Sequence, residues 1–192
     1  MIILASKSAS RRAMLSAAGV EFEARPAAVD ERALEARMGH AEPGAIALAL
    51  AEAKALSTEV RGHPVLGSDS VVSVDGIRFN KPASRAQAVE HLQFFSGRKM
   101  ELHSAAALAL GGSIRWSHVE MATLHVRELS DTYIAAYLAA EWPEVSQCVG
   151  VFRIEALGVQ LFERIEGDMF TVLGMPLLQV LGALRELEEL PA

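Results

Sequence analysis

The chain predicts an α/β fold built on a mixed sheet, and three observations carry that prediction. Short apolar runs of strand length alternate with helical patterns along all 192 residues. Helix starts are marked by Ser or Pro, and several helix ends by Gly or Pro. Some strand pairs are joined by tight glycine turns, which makes the sheet mixed rather than purely parallel.

The elements follow in order. Ile2 to Ala5 reads as a buried strand. Ser8 or Ser10 caps a helix that runs to about Ala18, with Gly19 as its left-handed stop. Val20 to Ala24 reads as a second short strand. The segment ARPAAVDERALEARMGHAEPG is polar, and loop-like from Pro26 to Glu31. GAIALALAEAKALSTEV, 44–60, is a strong helix with Pro43 before it and Gly62 after it. VLGSDSVVSVDG reads as a strand, a polar interruption, a strand and a turn. SRAQAVEHLQFF is a helix capped by Ser84, with Gly97 near its end. Met100 to Leu110 and Ser113 to Leu124 pair across Gly111-Gly112. SDTYIAAYLAAEW is a helix capped at Ser130 and stopped by Pro143. CVGVFRIEALGVQLFERIEG reads as two strands turning near Ala156 to Gly158. MPLLQVLGALRELEEL is a last helix with Pro176 in its first turn.

Composition narrows the function classes. The formal net charge is −6, hydrophobic residues make up 51% and charged residues 22%. Arg and Lys are scattered among acids, so no basic face suits a nucleic-acid polymer. Cys148 is the single cysteine, which excludes an intramolecular disulfide and fits a reducing cytoplasm. No signal peptide and no membrane span are expected. The length suits one domain, with room for two lobes.

Several stretches can carry chemistry. SKSASRR follows an apolar strand and opens a helix, where free N–H groups and the helix dipole favour an anion. Ser6, Ser8 and Ser10 add hydroxyls, Arg11 a bidentate fork and Lys7 a point charge. A Ser-capped surface helix with solvated cations is the plainer reading, and both stand. Asp69, in GSDSVV, lies among apolar residues and needs a partner: a metal, a cation or a polarised water. An Asx-turn at a strand end is its plainer reading. Asp30-Glu31 sits in a polar loop. Lys54 lies in an apolar helix, where it either snorkels or pairs with Glu52 or another acid. Lys81 precedes Pro82 and is biased toward an extended backbone. The six histidines show no metal-ligand spacing, and neither a Walker A loop nor a GxSxG elbow occurs. Cys148 reads as a packed residue rather than a nucleophile.

Six motifs then occur in order: ILASKSASRRAMLSAAGVEFE, AVDE, ALAEAKA, VLGSDSVVSVDG, NKPASRAQAVEHLQFFSGR and EGDMFTVLGMPL. Together they resemble the Maf family of nucleoside triphosphate pyrophosphatases, from Ile2 to about Leu184. The resemblance implies one Maf-like domain over residues 1–192. It implies an elongated mixed sheet flanked by helices, with two lobes and a central cleft, similar to inosine triphosphate pyrophosphatases. It implies hydrolysis of a nucleoside triphosphate to the monophosphate and pyrophosphate with a divalent cation, Mg²⁺ or Mn²⁺, and often a homodimer.

Residue by residue, Ser6, Ser8, Arg11, Lys54 and Lys81 match the family's phosphate-binding positions. Asp69 matches its catalytic aspartate, and Glu31 with Asp69 its metal ligands. Ser10, Ser70 and Glu155 fall where relatives select a base. Relatives that prefer 7-methyl-GTP carry glutamate where Glu155 stands, within a run similar to CVGVFRIEALGVQLF. Those that prefer dTTP and UTP carry glutamine there. A carboxylate suits a guanine edge, with its N–H and amine donors, and the positive charge of a methylated guanine. Ser10 and Ser70 match neither branch, and Ala9 replaces the proline of the family's SxSPRR pattern. The 7-methyl-GTP branch is the expected one. A dTTP/UTP pyrophosphatase and a nucleotide-binding septum-formation regulator with weak catalysis are the alternatives.

Overall fold

The structure is a computed structural model and describes residues 1–58, 60 and 62–191. It is a mixed α/β fold. One seven-stranded sheet has the order β2-β1-β3-β5-β6-β7, with β4 paired to β3. The strands are β1 (Ile2–Leu4), β2 (Phe22–Ala24), β3 (Val65–Val74), β4 (Ile77–Phe79), β5 (Lys99–Leu110), β6 (Ser113–Val126) and β7 (Phe162–Glu166). β1 runs parallel to β2 and β3, whereas β3–β4 and β6–β7 are antiparallel. The helices are α1 (Ala9–Ala17), α2 (Glu31–Met38), α3 (Pro43–Leu56), α4 (Arg85–Phe95), α5 (Asp131–Glu141), α6 (Met169–Val172) and α7 (Leu177–Glu186).

The chain divides into two compact units. The first takes Met1–Ser70, His103–Glu120 and the chain from Asp168 onward. Its core packs Ile2 and Leu4 of β1, Leu15 of α1, Leu66 of β3, Leu108 of β5, and Val180 and Leu184 of α7 into one cluster. α1 starts where Ser8 accepts from the Arg11 N–H, and stops near Gly19 at φ 71°. Ser8 is thus the cap and Ser10 is the second residue of the helix. α3 begins on Pro43, whose missing N–H costs nothing at a helix start. The helix ends at Leu56, earlier than the predicted 44–60, and Glu59 of that stretch lies outside the described residues.

The second unit takes Val71–Leu102 and Met121–Gly167. Phe79 of β4 meets Phe95 of α4 edge-on at 4.7 Å between centroids, and His91 at 5.1 Å. Ser84 and Ser130 cap α4 and α5 as predicted.

Three expectations are corrected and one, the turn after β3, is extended. β3 is one continuous strand, because the polar Ser68, Asp69 and Ser70 find partners without leaving it. Glu31 opens a helix instead of lying in a loop, since Asp30 caps α2 by accepting from the Ala33 N–H. β4 follows an Asp75-Gly76 turn with φ of 52° and 74°, a hairpin the sequence reading stopped short of. The first of the two strands predicted from Cys148 does not form: the segment runs through turns to a 3₁₀ helix at Leu157–Leu161, and only β7 is a strand. Val151 there sits at φ 56°, which breaks an extended run. Among the described residues, no helix is long and apolar enough to cross a membrane.

Candidate active site

Three segments of the first unit converge around Arg11. Its side chain is only 8% exposed. Nε donates to the Gly174 carbonyl at 2.9 Å, Nη1 to Ser6 Oγ at 3.3 Å and Nη2 to Ser70 Oγ at 3.1 Å. The guanidinium therefore ties the loop before α1 to β3 and to the loop between α6 and α7. Burial pushes its pKa down, while Asp69 and Glu31 oppose that shift. An arginine stays charged throughout. Ser6 Oγ also accepts from the Ser8 N–H at 3.2 Å. With both acceptor directions used, its hydroxyl proton is left as a donor.

Gly174 occupies the left-handed region at φ 105°. A Cβ there would stand 3.4 Å from Ser70 Oγ. Its carbonyl also accepts from Ser68 Oγ at 3.3 Å and Ser70 Oγ at 3.2 Å. Behind them, fully buried Ser104 lies 3.0 Å from Ser70 Oγ and donates to the Thr171 carbonyl at 2.8 Å. Ser70 is thus held from three sides by groups of its own unit. Ser104 and Gly174 went unnoticed in the sequence, where Ser104 lies inside a predicted strand and Gly174 inside a motif without a role of its own.

Beside this scaffold, Lys54 Nζ lies 2.6 Å from Asp69 Oδ1 and 2.8 Å from Glu31 Oε1. Lys54 and Asp69 side chains are 10% and 14% exposed, whereas Glu31 is 46% exposed. The lysine pairs with these acids and not with Glu52, which instead accepts from Ser117 Oγ at 2.8 Å. The close approach of α3 to β3 rests on Gly67. A Cβ there would run into the Ala51 carbonyl and stand 2.5 Å from the Ala55 nitrogen.

The structure thus brings Ser6, Ser8, Arg11, Glu31, Lys54, Asp69 and Ser70 into one unit, in two bonded sets: Ser6, Ser8 and Ser70 with Arg11, and Glu31 and Asp69 with Lys54. Lys81 and Glu155 belong to the second unit, where both are exposed. They share a neighbourhood there, since both charges act on Cys148. Burial and Glu155 push that thiol up to about 11, so it is protonated at neutral pH and is no nucleophile.

The donor set fits a hard divalent cation in one respect. Two carboxylates already converge on a single cationic atom, and Mg²⁺ is commonly held by one or two carboxylates with phosphate oxygens and water. Among the described residues no group of three or more His, Cys, Asp or Glu forms a self-sufficient metal cage. A metal here would need the substrate's oxygens to complete its shell.

Sequence comparison places the chain in a family. The Maf-like protein profile matches residues 1–187, and the chain belongs to that family. A 7-methyl-GTP pyrophosphatase of Rhizobium meliloti is 46% identical, covering 100% of this chain and 98% of that protein. A nucleoside triphosphate pyrophosphatase of Nitrobacter hamburgensis is 46% identical over 96% of this chain and 92% of its own length. A dITP/XTP pyrophosphatase structure from Mycobacterium abscessus aligns over 67% of this chain and 74% of its own, at 20% identity and a TM-score of 0.38.

Proposed function

We propose that this protein hydrolyses a nucleoside triphosphate to the monophosphate and pyrophosphate, with a 7-methyl-GTP-like nucleotide as its substrate. The observation that carries the reaction is the Glu31–Lys54–Asp69 arrangement beside the Arg11 scaffold. The names of two full-length relatives at 46% identity support the same reading.

Asp69 is the group that takes the proton of the attacking water. Lys54 fixes the orientation of its carboxylate through Oδ1. As the water's oxygen bonds to phosphorus, the bridge between the α- and β-phosphates breaks and pyrophosphate leaves with the bonding pair. The start of α1, the Ser6 and Ser8 hydroxyls and Arg11 supply donors for phosphate oxygens. Lys81 adds counter-charge, a role that rests on its motif match alone.

Glu31 and Asp69 would hold the divalent metal, Mg²⁺ or Mn²⁺. When bound, it lowers the pKa of water and neutralises phosphate charge. Charge counting supports the need for it. Arg11 and Lys54 are balanced by Glu31 and Asp69. The cluster is therefore about neutral before a polyanionic triphosphate arrives.

Glu155 is the base-reading residue of this proposal, with Ser10 and Ser70 near the choice by motif position. The homodimer implied by the family likeness is tested by light scattering on the purified chain. The main test is pyrophosphate release from 7-methyl-GTP, GTP, UTP and dTTP, with Mg²⁺ and with Mn²⁺. Preference for 7-methyl-GTP supports the reading, preference for UTP or dTTP replaces the substrate, and no turnover of any nucleotide rejects the enzyme.

A further inference from the structure

The turn that carries Glu155 is held from several directions by groups that the reaction itself does not use. Tyr137 and Glu141 stand four residues apart on α5, so they project from one face of the helix. Tyr137 is 3% exposed, and its hydroxyl donates to the Val151 carbonyl at 3.0 Å. Burial raises its pKa, which keeps the phenol a donor. Glu141 is 4% exposed and accepts from Arg153, whose Nε and Nη2 each lie 3.0 Å from Oε2.

The turn is also tight in itself. Val151 is a β-branched residue at φ 56°, a region such residues seldom occupy unless their surroundings impose it. The Ala156 N–H donates to the Arg153 carbonyl at 3.1 Å. Gly158 lies so close that a Cβ would stand 2.6 Å from the Arg153 nitrogen. Glu155 sits exposed within this turn, between Arg153 and Ala156, whose backbones are hydrogen-bonded to each other.

We infer that Tyr137 and Glu141 are positioning residues for base selection, which hold the 150–158 turn so that Glu155 meets the base in one orientation. The inference rests on the proposed reading of Glu155. A strained backbone position persists only where neighbours over-determine it, and here the neighbours are a buried hydroxyl and a buried carboxylate aimed at one turn. Hydrogen-bonding groups discriminate strongly between bases only when they are held in place. A glutamate on a slack turn would pair with many partners and reject none.

The test measures kcat/KM for 7-methyl-GTP and UTP with wild type, Tyr137→Phe, Glu141→Gln and Glu155→Gln. Tyr137→Phe removes one hydroxyl and is expected to cut the 7-methyl-GTP to UTP ratio roughly tenfold, with UTP turnover within about twofold of wild type. Glu141→Gln should lower the same ratio. A purely structural role would lower Tm and leave the ratio unchanged, and that result overturns the inference. If Glu155→Gln collapses the ratio while both α5 variants keep it, the inference fails and the reading of Glu155 survives. If Glu155→Gln keeps the ratio, the reading falls and the inference falls with it. Should an α5 variant not fold, Arg153→Lys keeps the charge, loses the two-nitrogen grip and carries the same readout.

Discussion

Lys54 Nζ lies 2.6 Å from Asp69 Oδ1, and the same ammonium reaches Glu31 at 2.8 Å. One cation therefore stands between two carboxylates contributed by different elements, α2 and β3. This geometry makes the lysine an organiser of the two acids, beside the counter-charge role proposed for it.

Asp69→Asn should retain the fold and lose pyrophosphate release by about two to four orders of magnitude, as expected for a general base. Steady-state assays with parallel circular dichroism check this. Near wild-type turnover on every good substrate would remove the base assignment.

Lys54→Met leaves Asp69 and Glu31 without the ammonium between them. The expected loss is about 2 kcal/mol in urea denaturation, below the range for a fully buried pair because Glu31 is half exposed. A divalent cation should take the vacated place, so Mg²⁺ or Mn²⁺ should raise the variant's Tm more than that of wild type.

Arg11→Lys keeps the charge and loses the fork that reaches Gly174, Ser6 and Ser70 together. Stability should fall by about 2 kcal/mol. Turnover should fall with it, measured under conditions where the variant remains folded.

Cys148 should resist alkylation. With its thiol raised to about 11, iodoacetamide at pH 8 should react roughly ten- to a hundredfold more slowly than with free cysteine. Between about 9 and 11 the folded state holds a proton that the unfolded chain has released. Stability therefore declines as pH rises through that window, and is unaffected by this group at neutral pH. Thermal melts across that range test the sign.

Much of the fold is legible in the sequence where local signals agree. Ser84, Ser130 and Pro43 mark their helices, and Gly111-Gly112 marks the β5–β6 turn. The misses have physical causes. DERALEARM lacks an apolar stripe because none of α2 is buried, so no periodicity announces the helix. SDS looks like a break in β3 because its partners, Lys54, Arg11 and the Gly174 carbonyl, are distant in sequence. CVGVFRIE imitates strand alternation, yet Val151, Phe152 and Ile154 are all buried, and their burial follows from a folded turn.

For the site, the residue types in SKSASRR and GSDSVV already speak of anions and a partnered acid. What they leave out is that Arg11 is largely engaged by its own protein, and that Ser104 and Gly174 complete its surroundings.

Gly67 has a consequence for how far this site can drift. The space it leaves is taken by main-chain atoms of Ala51 and Ala55, so the separation of α3 from β3 is set by two backbones in contact. Changes in core side-chain size elsewhere have little leverage on that separation. On the proposed reading, a lineage could alter base preference through Glu155 while the reach from Lys54 to Asp69 stayed the same length. The Lys54–Asp69 pair and the turn that carries Glu155 are then free to evolve at different rates.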